Sequence, residues 1–198
     1  MAIALRIGAG GRMSDFEFIF SLFGLLLGLS LTEVLGGLAH AIEARLRPAS
    51  TVHVGWLTPL LGAFVMLDLL SFWQAAWVVR DAVGVSGRAL VAVTGFASAY
   101  YLAARLVFPR DADDRDFDAH FFRVRRVVIG VMFVLLVCQL GWYASLPKLA
   151  PHLLRPLPLA MTMILVLLMV AAMLVRGERW CRLVMLGLVA RYVVVYLL

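Results

Sequence analysis

Charge is what this sequence has least of. Asp, Glu, Lys and Arg make up 15% of its 198 residues, against about 25% in a soluble domain. Lysine is nearly missing: Lys148 stands alone and every other basic residue is arginine. There are two cysteines, Cys138 inside an apolar run and Cys181 beside Trp180 and Arg182. Neither position suits a disulfide framework, so both read as free thiols. The short loop motifs of soluble catalysis are missing too. There is no Gly-x-Ser-x-Gly, no His-Glu-x-x-His, no P-loop, and no Gly-rich dinucleotide fingerprint followed by an acid. A catalytic reading therefore has no positive support.

What fills the chain is hydrocarbon. Hydrophobic residues account for 64% of it and the mean hydropathy is +0.97. A globule of this size leaves too much surface in water to hide such an excess. A soluble enzyme and a disordered chain are both excluded. The net charge of +6 does not indicate nucleic acid, because the arginines sit between apolar runs and form no basic face. The class is an integral membrane protein. The excess of Arg over Lys, with much Ala, Val, Leu and Gly, is the usage of a GC-rich bacterial genome, so the expected location is a bacterial inner membrane.

Crossing the roughly 30 Å hydrocarbon layer takes about 20 mostly apolar residues in a helix. Six stretches qualify, at about 16–44, 53–79, 88–108, 127–146, 157–175 and 180–198. Their continuous runs lack the short alternation of outer-membrane barrel strands. Breakers separate them: Pro48, Gly87, Pro109, Pro147 to Pro158, and Gly177. The expected fold is an all-α bundle of six transmembrane helices, with sequential helices as antiparallel neighbours. It forms one domain over residues 16–198 with a cytoplasmic loop at about 109–126. Residues 1–15 are expected to be a disordered extension. Residues 1–12 lack the long apolar core of a secretory signal, and Met13 opens a stretch that reads like a start.

Orientation follows from arginine and lysine counted by side. Eleven lie in the first, third and fifth connections, including Arg45, Arg105, Arg110, Arg123, Arg125, Arg126 and Arg182, against six on the other side. The arginine-rich side is expected to be cytoplasmic, with both termini outside. Trp56 and Trp180 at inner ends, and Trp77, Trp142, Tyr143 and Tyr196 at outer ends, form the matching aromatic belts.

A charge near the bilayer centre costs about 2.5–3.5 kcal/mol on insertion scales. It needs a partner, a wet cavity or an interface within reach. Counted from mid-span at 1.5 Å per residue, Glu33, Asp68, Gln139 and Arg191 all fall within about 5 Å of the middle. Four helices would thus contribute to one polar centre, with Asp68 or Glu33 as counter-ion to Arg191. The plainer reading is that these groups merely tie helices together, at about 0.6 kcal/mol per bond. Arg191 also has a stem long enough to snorkel.

The first span carries Gly24, Gly28, Thr32, Gly36 and His40 at four-residue spacing, a small-residue ridge that lets helices approach. Packing within the chain is its commoner use and a homo-oligomer the other. The third span offers a matching ridge at Gly95, Ala99 and Ala103, flanked by a polar face with Thr94, Ser98, Tyr101 and Arg105. In the long third connection, an EF-hand register from Asp114 puts Ala119 and Arg125 where Gly and Glu are required, and so fails. Asp116 or Asp118 is expected to cap a helix there, with Arg123, Arg125 and Arg126 anchored at lipid phosphates. His40, His53 and His120 gather near one interface with Glu43, but interfacial histidines seldom hold metal. No metal and no cofactor is expected.

The sequence points to a channel- or transporter-like protein with an intramembrane polar centre. The alternative is a non-transporting partner subunit or sensor that presents residues 110–126. A lipid-acting intramembrane enzyme is third. The expected partners are the bilayer and a homo-oligomeric or other membrane partner, not nucleic acid.

Overall fold

The computed structural model describes residues 15–46, 53–79, 86–110, 116–147, 149–153 and 155–197. The proposed N-terminal extension, except for its last residue, lies outside them. The described residues form α1 (Asp15–Leu46), α2 (Leu57–Val78), α3 (Gly87–Leu106), α4 (Phe117–Ser145), the one-turn α5 (Ala150–Leu153), α6 (Pro156–Leu174) and α7 (Glu178–Leu197). All but α5 are long and apolar enough to cross a membrane.

Local chemistry sets several helix starts. Ser86 accepts a 3.1 Å hydrogen bond from the Ala89 amide and caps α3. Asp116 accepts from the amides of Asp118 and Ala119 at 2.9 and 3.1 Å and caps α4, as the sequence indicates. Pro156 and Pro158 open α6, where missing amide protons cost nothing. The α4 helix begins ten residues before the expected span start at 127. The charged entrance is therefore one continuous helix with the span.

Burial runs along one seam of each helix. On α1 the seam is Ile19, Phe23, Leu27, Ser30, Val34, Ala41 and Ala44. On α4 it is Phe121, Arg125, Val128, Ile129, Met132 and Leu135. The opposite faces carry exposed apolar side chains such as Val91, Leu102, Leu167 and Leu174. Surface of this kind is a liability in water and matches the hydrocarbon interior of a bilayer.

The helices are not arranged simply in chain order. The α1 helix packs chiefly on α3 and then on α2, while α2 packs chiefly on α7 and touches α3 little. Two glycines explain how α1, α2 and the end of α3 close together. A Cβ at Gly37 on α1 would collide with the edge of the Phe108 ring, and one at Gly62 on α2 would lie 2.9 Å from it. Phe108, just past α3, fills the notch that both glycines leave. The sequence ridge behaves differently along its length. Gly24 faces the Trp73 ring at 2.7 Å from its would-be Cβ, whereas Gly28 and Gly36 face open space. Thr32 is exposed and bonds back to the carbonyls of Gly28 and Leu29.

A polar clasp joins α2 and α4 at the arginine-rich end. The Phe117 amide donates to His53 O at 3.1 Å. The Thr58 hydroxyl donates to Phe117 O at 2.5 Å. Asp118 accepts from the Leu57 amide at 3.1 Å, so this carboxylate caps a helix other than its own.

Candidate functional site

Glu33 lies on the α1 flank that faces α3. Its carboxylate accepts from Arg105 at 3.0 Å, from Tyr101 at 3.3 Å, and from Arg110. The polar face of α3 thus meets the one acid in the middle of α1. These groups line a cleft of about 440 Å³ with Thr32, Gly36, His40 and Pro109. Gly36 contributes no side chain, which keeps the wall low. The Glu33 side chain is 23% exposed, while Arg105 and Arg110 are 44% and 47% exposed. One guanidinium balances the carboxylate. Among the described residues, the second leaves the cluster at a formal +1.

Asp68 is in a different setting. It is buried on α2 and accepts from the Tyr100 hydroxyl of α3 at 2.5 Å and from the Tyr192 hydroxyl of α7. Both tyrosines are buried as well. Two phenols supply the hydrogen bonds that hydrocarbon cannot, and they join three helices at one point. Stacked rings of Phe72 and Phe96, 4.4 Å apart, lie against Tyr100. The sequence reading missed both tyrosines. Their signal was present: a phenol near mid-span needs an acceptor, and Asp68 offers one at the same depth.

The four groups expected to share one centre thus have separate partners. Glu33 has arginines and Tyr101, and Asp68 has Tyr100 and Tyr192. Gln139 donates to the Tyr143 hydroxyl at 3.2 Å, one turn along α4. Arg191 donates its Nε to Met161 O of α6 at 3.3 Å and covers the Tyr192 ring, 4.8 Å from its centroid. It reaches Asp68 only through space and forms no ion pair with it.

The three arginines expected at the headgroups also divide. Arg125 is 4% exposed and points into the bundle. The reason is helical phase: with α4 already formed at Phe117, Arg125 falls on the face of Phe121, Val128 and Met132. Its Nη1 donates to Ala172 O at 3.2 Å and to Cys181 Sγ at 2.9 Å, and its head lies over Phe122. Arg126 donates to Met173 O at 3.3 Å. Two adjacent cations therefore serve the last turn of α6, where carbonyls lack helical partners and the dipole is negative. Arg123 is on the same helix turn.

The histidines do not converge. His40 stacks near Phe117 at 6.5 Å, His53 takes part through its backbone, and His120 bonds Leu106 O at 3.1 Å. Among the described residues no group of three or more His, Cys, Asp or Glu is placed to hold a metal.

Six helices long and apolar enough to span a membrane, with apolar side chains on their outer faces, fit a multi-pass membrane protein. No known family, curated protein or solved structure matches the chain.

Proposed function

We propose that the protein is a small channel- or transporter-like membrane protein that binds an anionic group, carboxylate or phosphate, in the cleft between α1 and α3. The observation that carries this reading is the charge of the Glu33 cluster. One arginine would suffice to neutralise Glu33, yet two are present, both nearly half exposed. A solvent-facing ion pair contributes at most about 1 kcal/mol to stability, so fold reinforcement is a weak account of the second arginine. Guanidinium is the side chain best suited to carboxylate and phosphate. Glu33 then acts as an internal competitor, holding the arginines in place and returning to them when the anion leaves.

The expected setting is a bacterial inner membrane, with the arginine-rich end in the cytoplasm and both termini outside. The cleft would open toward the cytoplasmic side. The Asp68–Tyr100–Tyr192 contact would seal the bundle beyond it. The alternative of a partner subunit presenting residues 110–126 is less favoured, because Asp116, Asp118, Arg125 and Arg126 spend polar groups on backbone amides and carbonyls of the chain itself.

The test is binding and flux of radiolabelled phosphate with protein reconstituted in neutral-lipid vesicles. Saturable binding that Arg105→Gln or Arg110→Gln weakens by about tenfold, the loss of about 1.4 kcal/mol, supports the reading. Absent binding in the parent protein, or variants that bind like the parent, overturns it. Competition by vesicles containing phosphatidylglycerol separates a lipid headgroup from a free anion.

A further inference from the structure

A second cavity, of about 520 Å³, opens at the other end of the bundle between α1, α2, α3 and α4. Its size falls within the roughly 300–1,000 Å³ of small-molecule sites. The walls are hydrocarbon and aromatic: Phe20, Phe23, Phe72, Phe96 and Trp142 among them. Among the described residues, no Asp, Glu, Lys or Arg lines it. A charged ligand would lose its hydration there without a counter-charge. The stacked Phe72 and Phe96 rings line it and contact Tyr100, the partner of Asp68.

The polar groups are confined to one edge. Ser86 is already used as the α3 cap. The others come from one stretch of α4: Cys138, Gln139, Tyr143 and the indole N–H of Trp142. The Gln139 amide donates to the Tyr143 oxygen at 3.2 Å. That bond fixes the polarity of the pair. The Tyr143 hydroxyl proton is left to donate, and the Gln139 carbonyl oxygen is left to accept. A donor and an acceptor side by side on an otherwise apolar wall suit a single carbonyl or hydroxyl.

We infer that this cavity binds a neutral amphiphile: an apolar body with one carbonyl or hydroxyl group, held by Gln139 and Tyr143. Trp142 lines the cavity and serves as the reporter. The site is independent of the Glu33 cleft and of the anion reading.

The probe is a bromine-tagged long-chain alcohol added to the full-length protein in nanodiscs, since bromine quenches tryptophan on contact. Trp142→Phe removes the reporter and isolates its signal. Quenching of Trp142 should saturate. Tyr143→Phe, which keeps the ring and removes only the hydroxyl, should weaken binding by about three- to tenfold, the size of one hydrogen bond. Ala92→Phe, on the open wall of α3, should abolish saturation by filling the space. The ionised bromine-tagged fatty acid should bind more weakly than the alcohol. Quenching that rises linearly with bilayer concentration, alike in parent and Tyr143→Phe, means an ordinary lipid chain fills the cavity and overturns the proposal. Tighter binding of the carboxylate overturns it as well. If Ala92→Phe lowers thermal stability, Tyr143→Phe alone decides.

Discussion

The Tyr192 hydroxyl shows how much one polar atom counts when the surroundings are hydrocarbon. It and Tyr100 are the hydrogen-bond donors to Asp68. Tyr192→Phe leaves the packing volume intact and removes one donor to a buried acid. The expected cost is about 1.5–3 kcal/mol, read as a fall in thermal stability in detergent. Tyr100→Phe should cost a similar amount. The double variant should depart from the sum of the singles, because both phenols share one carboxylate. Asp68→Asn keeps hydrogen-bonding capacity and should be milder than Asp68→Leu, which strands both hydroxyls. At this scale the sequence was legible in part. It marked Asp68, Glu33, Gln139 and Arg191 as groups needing partners. It did not say which partners, because that depends on how each helix is rotated, and depth alone does not fix rotation.

Helix rotation also separates the glycines that matter from those that merely repeat. The four-residue spacing of Gly24, Gly28 and Gly36 drew attention in the sequence, yet a side chain at Gly28 or Gly36 would meet nothing within 4 Å. Gly37 and Gly62 were not singled out, and they hold the notch for Phe108. Periodicity within one helix cannot reveal a notch shared by two. Gly37→Val and Gly62→Val should therefore destabilise the bundle by about 1–3 kcal/mol through overpacking. Gly28→Ala and Gly36→Ala should stay within about 0.5 kcal/mol. Melting curves of the four variants make the comparison. Arg125 carries the same lesson for α4. Read as a surface anchor, it serves the end of α6 once the helix phase is known. Arg125→Leu should cost about 1–3 kcal/mol by leaving the Ala172 carbonyl and Cys181 without their donor. What the sequence did supply at this scale was helix existence, from run length, and the Asp116 cap, from local spacing.

At the scale of the whole molecule, the bundle has two unlike ends. One end collects arginines, the α2–α4 clasp and the Glu33 cleft. The other carries the aromatic cavity with its Gln139–Tyr143 edge. Between them, Asp68 ties α2, α3 and α7. With Cys138 replaced by Ser and Cys181 buried, single cysteines report which end faces which compartment. Arg179→Cys should be shielded from an impermeant maleimide in intact cells, and Ser145→Cys should react with it. Six membrane-length helices were legible from composition and run length alone. The pairing of α1 with α3 and of α2 with α7 was not, because it depends on interhelix contacts such as Gly37 with Phe108 and Asp68 with Tyr192. The division of labour between the two acids is the central claim, and phosphate binding measured on three purified variants tests it most directly. Arg105→Gln and Arg110→Gln should lose phosphate affinity by about tenfold while keeping the parent's melting temperature, and Asp68→Asn should melt earlier yet bind phosphate like the parent. Loss of binding in Asp68→Asn with full binding in both arginine variants would contradict the account.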